Sequence, residues 1–110
     1  MTDVEVPFAA SAGTPGVVMP MPVEIDMATA PEVRIHGIAA LDSLDLGPLF
    51  LDMSMVRFID AAGLGALVDL EMVSHGSHRE IVLLDVPPTV RRVLRKAGLS
   101  GSFHQTTREP

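Results

Sequence analysis

At 110 residues, with 47% apolar residues and a net charge of −6, the chain is long enough for one packed domain and too apolar to stay unfolded. It has no cysteine, tryptophan or tyrosine, which removes disulfides, thiolate metal sites and a platform for stacking bases. The acidic balance argues against nucleic acid as the main partner. No apolar stretch reaches the roughly 18 residues of a membrane span, and no leader pattern is visible in the opening residues, so a cytoplasmic protein without membrane insertion is expected.

Residues 1–16 mix Pro, Ala, Ser, Thr and Gly and read as a flexible tail, with a short first strand as the alternative at Val4–Phe8. Val17 to Ile25 is the next strand candidate. Pro20 and Pro22 lie inside it and cannot donate to a ladder, so the strand should be an edge or interrupted. Asp26 to Thr29 offers helix starts, Pro31 suits a first turn, and Val33, Gly37, Ile38 and Leu41 give an inner face; helix one is expected over about 29–41. His36 reads as a partly exposed packing residue. Asp42 to Gly47 is a polar turn.

The apolar run from Leu49 to Val56 predicts a buried strand, best defined over Leu49–Ser54 and covered on both faces. Asp52 inside it is expected to be a strand-end carboxylate bonded to backbone N–H groups. Leu64, Leu67, Val68 and Met72 then recur at helical spacing, so helix two is expected from Ala61 to Ser74, with Asp60 as N-cap and His75-Gly76 as the stop. Glu80–Asp85 is a further buried strand. Pro87 or Pro88 opens helix three, which ends at Gly98; Val90, Val93, Leu94 and Ala97 face inward and Arg91, Arg92, Arg95 and Lys96 outward. That basic face reads as solvated, with a docking patch for an acidic partner as the alternative. From Gly101 onward the chain is polar and is expected to fray, leaving a domain over 17–103 and a C-terminal tail over 104–110.

Strands alternating with helices predict an α/β sandwich in which the strands before helices two and three are parallel neighbours. No catalytic constellation accompanies it. The G-x-S-x-G, H-E-x-x-H and P-loop patterns are absent. His75 and His78 sit at i, i+3 beside Gly76, a poor metal pair. An enzyme is not expected, nor a metal or other cofactor. The turn from strand to helix around Asp60 does leave free backbone N–H groups, a natural place for an anion or a partner surface.

The same turn carries a resemblance. Phe58-Ile59-Asp60-Ala61-Ala62-Gly63-Leu64-Gly65 resembles the phosphorylation-site motif of STAS domains, the family of bacterial anti-sigma factor antagonists. Glu24-Ile25-Asp26-Met27-Ala28-Thr29-Ala30 is similar to that family's first conserved loop, with Val23 in place of its glycine. Leu51–Val56 resembles its central strand, and Val86–Leu94 with Ala97-Gly98-Leu99 its last helix. The resemblance implies a STAS-like α/β fold: a mixed sheet of four to five strands, with three to four helices mainly on one face. It also implies a GHKL-type serine kinase, itself the anti-sigma factor, as partner. In the family the phosphoryl acceptor is the hydroxyl residue before the motif glycine; here that position is Ala62, preceded by Ala61. The resemblance therefore implies a regulatory binding protein with its switch missing, docking through Asp26, Met27, Asp60, Ala61, Ala62, Gly63 and Leu64. Ser54, Thr29 and Ser74 are the hydroxyls that could receive phosphate instead. A second copy of the chain is a further candidate partner. The other readings are an adaptor beside a lipid-transport ATPase or in a stress-signalling complex, and an anion or nucleotide sensor.

Overall fold

A computed structural model describes residues 16–108. The candidate strand at Val4–Phe8 lies outside them. The elements run β1 (Val17–Pro20), β2 (Glu24–Ile25), α1 (Ala30–Asp42), β3 (Leu49–Asp52), β4 (Phe58–Ile59), α2 (Ala61–Gly76), β5 (Ile81–Leu84), α3 (Pro88–Lys96), a 3-10 turn at Ser100–Ser102 and β6 (His104–Thr106). The main sheet has the order β1-β3-β5-β6, and β2 pairs with β4 in a separate two-stranded ladder. Every pair among the described residues is parallel.

The prolines act as expected. β1 is the edge strand of the described sheet, and the chain leaves it at Pro20. Met21 still donates to the Asp52 carbonyl at 3.0 Å; Pro22 has no N–H to continue the ladder, and the strand resumes as β2. β3 breaks in the same way. Its last ladder bond is Met53 N–H to Leu84 O at 2.8 Å, and a turn closed by Val56 N–H to Met53 O then leads into β4. The single strand expected through Val56 is thus two strands that belong to different ladders.

α1 and α2 cover one sheet face with Leu41, Leu67 and Leu70 against Leu49, Leu51, Ile81 and Leu83, all buried. The opposite face carries a smaller cluster of Phe50, Val82 and Leu84 with Val18. Burial on both faces is what the uninterrupted apolar runs of β3 and β5 require. α1 and α2 lie side by side and run in the same direction: Arg34 on α1 pairs with Asp69 on α2 at 2.6 Å, and Gly37 faces Leu70. A Cβ at position 37 would stand 2.6 Å from both Leu70 methyls, so glycine permits this approach.

The segment from Gly101 folds rather than fraying. Phe103 is 6% exposed and joins the main core, and β6 pairs with β5 through Val82, Leu83 and Leu84. The pull of one buried aromatic and a free strand edge outweighs the polarity of His104-Gln105-Thr106. The outward side chains of α3, Arg91, Arg92, Arg95 and Lys96, are exposed as expected.

Candidate functional site

The β2–β4 ladder brings two loops together. Ile25 stands opposite Ile59, both buried, so the next residues, Asp26 and Asp60, emerge side by side. Each carboxylate is engaged by its own helix start. Asp60 Oδ1 accepts from Gly63 N–H at 3.0 Å, and the Asp60 carbonyl accepts from Leu64 N–H at 2.9 Å. Asp26 Oδ1 accepts from Ala28 N–H at 3.0 Å and Thr29 N–H at 3.1 Å, while Thr29 Oγ1 accepts from Asp26 N–H at 2.9 Å. This reciprocal exchange closes the turn that leads into α1, whose N-cap is Thr29. Removing the α2 cap by Asp60→Ala should destabilise the domain by about 1 kcal/mol, read as a lower urea midpoint with an unchanged slope.

Gly63 is the closest approach in the site. A Cβ there would collide with the Ile25 carbonyl oxygen and lie 2.7 Å from its carbon. The start of α2 therefore rests directly on the β2 backbone, and Asp60 N–H donates to the same carbonyl at 3.2 Å. Ala61 is exposed, and Ala62 and Leu64 are half-buried. Large apolar side chains stand open on the ladder and the turns that flank it: Met27 is 77% exposed, Met55 62%, Phe58 50% and Val23 45%. Monomers seldom leave such side chains grouped on one edge unless something covers them. Sequence reasoning singled out Met27 but passed over Met55 and Phe58, although both lie within seven residues of Ala62 and could have been noticed as apolar residues in a turn and a two-residue strand.

The alternative hydroxyls differ in access. Ser74 is 1% exposed and donates to Glu71 O at 2.7 Å. Thr29 Oγ1 donates to Glu24 O at 2.8 Å. Ser54 is exposed; its N–H donates to Asp52 Oδ1 at 3.0 Å, and its hydroxyl also hydrogen-bonds the Asp52 carboxylate.

A second cluster lies at the carboxyl ends of β3, β5 and β6. Asp52 does bond a backbone N–H, as expected, but its other oxygen meets Arg108 Nη2 at 2.7 Å. Arg108 Nη1 is 3.5 Å from Asp85 Oδ2, and Arg108 N–H donates to Asp85 Oδ1 at 2.8 Å. Burial by itself would raise the Asp52 carboxyl. The Ser54 N–H bond and the Arg108 guanidinium outweigh it and hold the group below the ordinary value of 3.8. A depressed folded-state value means that the stabilisation is complete above pH 3.8 and disappears as the pH falls below it. Acid titration of the unfolding midpoint should therefore show a loss below about pH 4 that Asp52→Asn reduces.

These features define an α/β domain whose candidate site is a surface edge where two helix starts meet on the β2–β4 ladder. The STAS domain family model matches residues 8–109, and the chain belongs to that family. Its fold is similar to that of a putative anti-sigma factor antagonist from Thermotoga maritima (22% identity, TM-score 0.72, covering 86% of this chain and 80% of that one). The anti-sigma factor antagonist SpoIIAA in its unphosphorylated form also resembles it (22% identity, TM-score 0.68, 84% and 81% covered). So does a sulfate transporter family protein from Wolinella succinogenes (18% identity, TM-score 0.68, 79% and 70% covered). Among the described residues no helix is long and apolar enough to cross a membrane.

Proposed function

We propose that this chain is an anti-sigma factor antagonist-like regulatory protein. It docks a GHKL-type anti-sigma kinase through the start of α2 and the Asp26-Met27 loop, and it lacks the hydroxyl by which such a kinase would release itself. The observation that supports this reading is the edge built by the β2–β4 register, where Met27 and Ala61 stand exposed beside Asp26 and the α2 cap Asp60. Ala62 occupies the position the family pattern gives to the phosphoryl acceptor, half-buried at the rim of that edge. A phosphate there would add about −1.5 to −2 charges between Asp26 and Asp60; without it the edge keeps one state.

The test uses candidate anti-sigma kinases from the same organism with ATP and reads binding and intact mass together. The expected result is a complex with no phosphoryl mass gain, acceptance of phosphate by Ala62→Ser, and about 10- to 100-fold weaker binding by Ala62→Asp. Phosphate on Ser54 of the unaltered chain, or an unchanged affinity of Ala62→Asp, would overturn the reading. A partner that is a transporter subunit rather than a kinase would make the chain an adaptor that uses the same edge permanently.

A further inference from the structure

α3 carries Arg91, Arg92, Arg95 and Lys96, four of the chain's eight lysines and arginines, within nine residues. No acidic residue lies on it, and all four cationic residues are exposed. Val90 and Leu94 point the other way, into the main core. Part of this charge has a local reason. Arg95 and Lys96 sit in the last turn, where a cation complements the helix dipole. Arg91 Nη2 donates to the Val86 carbonyl at 3.0 Å. Arg92 has neither. Among the described residues no carboxylate pairs with α3; the arginine ion pairs are those of Arg34 and Arg108. Asp85, the last carboxylate before the helix, is held by Arg108. Arg91 and Arg95 stand four residues apart, as do Arg92 and Lys96, a spacing at which like charges repel. The helix therefore keeps a repulsion that no acid among the described residues offsets.

We propose that this face docks an acidic helical segment of a protein partner, whose carboxylates one turn apart meet Arg92, Arg95 and Lys96. Charge and spacing select the occupant. Side chains four residues apart on a helix are about 6 Å apart along its axis, and carboxylates at i and i+4 of a partner helix share that interval. A guanidinium takes a carboxylate with two parallel N–H donors, which rewards such a match. The rest of the chain limits the partner's size. Outside α3, 14 acidic residues stand against four arginines. A bilayer of anionic lipid or a nucleic-acid duplex would set its phosphates against that acidic remainder as well as against the helix. A single acidic helix meets the basic strip alone. A bilayer also takes up apolar side chains, and Val90 and Leu94 are already buried. No residue is shared with the start of α2, so the proposal stands whatever docks there.

The probe is a helical peptide about four turns long with glutamates at i and i+4 along one face. Its isomer of equal charge, scrambled so that the glutamates share no face, is the control. Both are titrated into the full ¹⁵N-labelled chain at about 150 mM salt, where remote charges are screened. The facial peptide should shift amides over residues 88–99 and bind at least tenfold more tightly than the isomer. Arg92→Glu gives two readouts of opposite sign. It replaces a like-charge pair by an attractive one with Lys96, so the urea midpoint should hold or rise. Peptide affinity should fall at least tenfold. Lys96→Glu, also exposed, repeats the test should Arg92→Glu lose stability. Arg57→Glu makes the same change in net charge away from α3 and should leave affinity within about twofold. Equal affinity for the two peptides, shifts centred outside α3, or full binding by Arg92→Glu and Lys96→Glu would each overturn the proposal. So would tighter binding to phosphatidylglycerol vesicles or to duplex DNA than to the facial peptide.

Discussion

Gly63→Ala should be the most damaging single change in the chain, lowering stability by about 3 kcal/mol or more. The added methyl would meet backbone on both sides: α2 cannot withdraw without breaking the Asp60 cap, and the Ile25 carbonyl cannot turn away without losing its bond from Asp60 N–H at 3.2 Å. Flexible side chains relax around an intruding methyl; two hydrogen-bonded backbones do not. Gly65→Ala is the control on the same helix. Its Cβ would find only Arg34 Nη2 at 3.5 Å, an ordinary contact. Replacing a helical glycine there should stabilise by up to about 1 kcal/mol. Urea unfolding of both variants checks the contrast, and comparable losses at the two positions would show that α2 does not rest on β2 as described.

Arg108→Ala should come second, at about 2–3 kcal/mol. Removing one partner of a fully buried ion pair costs about 3–5 kcal/mol, and these side chains keep some solvent. Arg108 is 29% exposed, Asp52 17% and Asp85 20%. The loss has two parts. Two carboxylates at adjacent strand ends lose their shared cation, and β6 loses its anchor beyond Thr106. Arg108→Lys should recover only part, because an ammonium cannot reach both carboxylates with the fork that a guanidinium offers. Amide exchange supplies a second readout: in the alanine variant the β5–β6 ladder should open before β3–β5. Uniform exchange across the sheet would contradict an anchoring role.

Much of this architecture was legible. β3 and β5 announce themselves as short apolar runs, and the three helices start near prolines or an acidic cap. Pro20 and Pro22 foretold the interruption between β1 and β2. The Asp60 cap could be read from spacing, and its bond to Gly63 N–H followed. What stayed hidden depends on contacts between distant residues. Arg108 and Asp52 are 56 residues apart, and no local pattern relates them. β6 has the composition of a tail because an edge strand need bury little of itself; only Phe103 hinted otherwise. The split of β3 from β4 was concealed because Met53 and Val56 are as apolar as the strand before them, although they close a turn. The sequence places Gly63 in the docking set, but gives no sign that the carbonyl it packs on belongs to Ile25. The adjacency of Asp26 and Asp60 came only through family resemblance; the parallel register of Ile25 with Ile59 gives it a physical basis.

The contact of Gly37 with Leu70 sets more than local packing. It works as a gauge block between two levers, because the loop that ends at α1 turns on Asp26 and the one that ends at α2 turns on Asp60. A side chain at position 37 must first be met by a shift of the Leu70 side chain, and one too bulky for that shift would push the helices apart at mid-length and widen the gap between those loops. The jaw width of the edge is thus calibrated deep in the interior, by a residue that no visitor to the surface would touch.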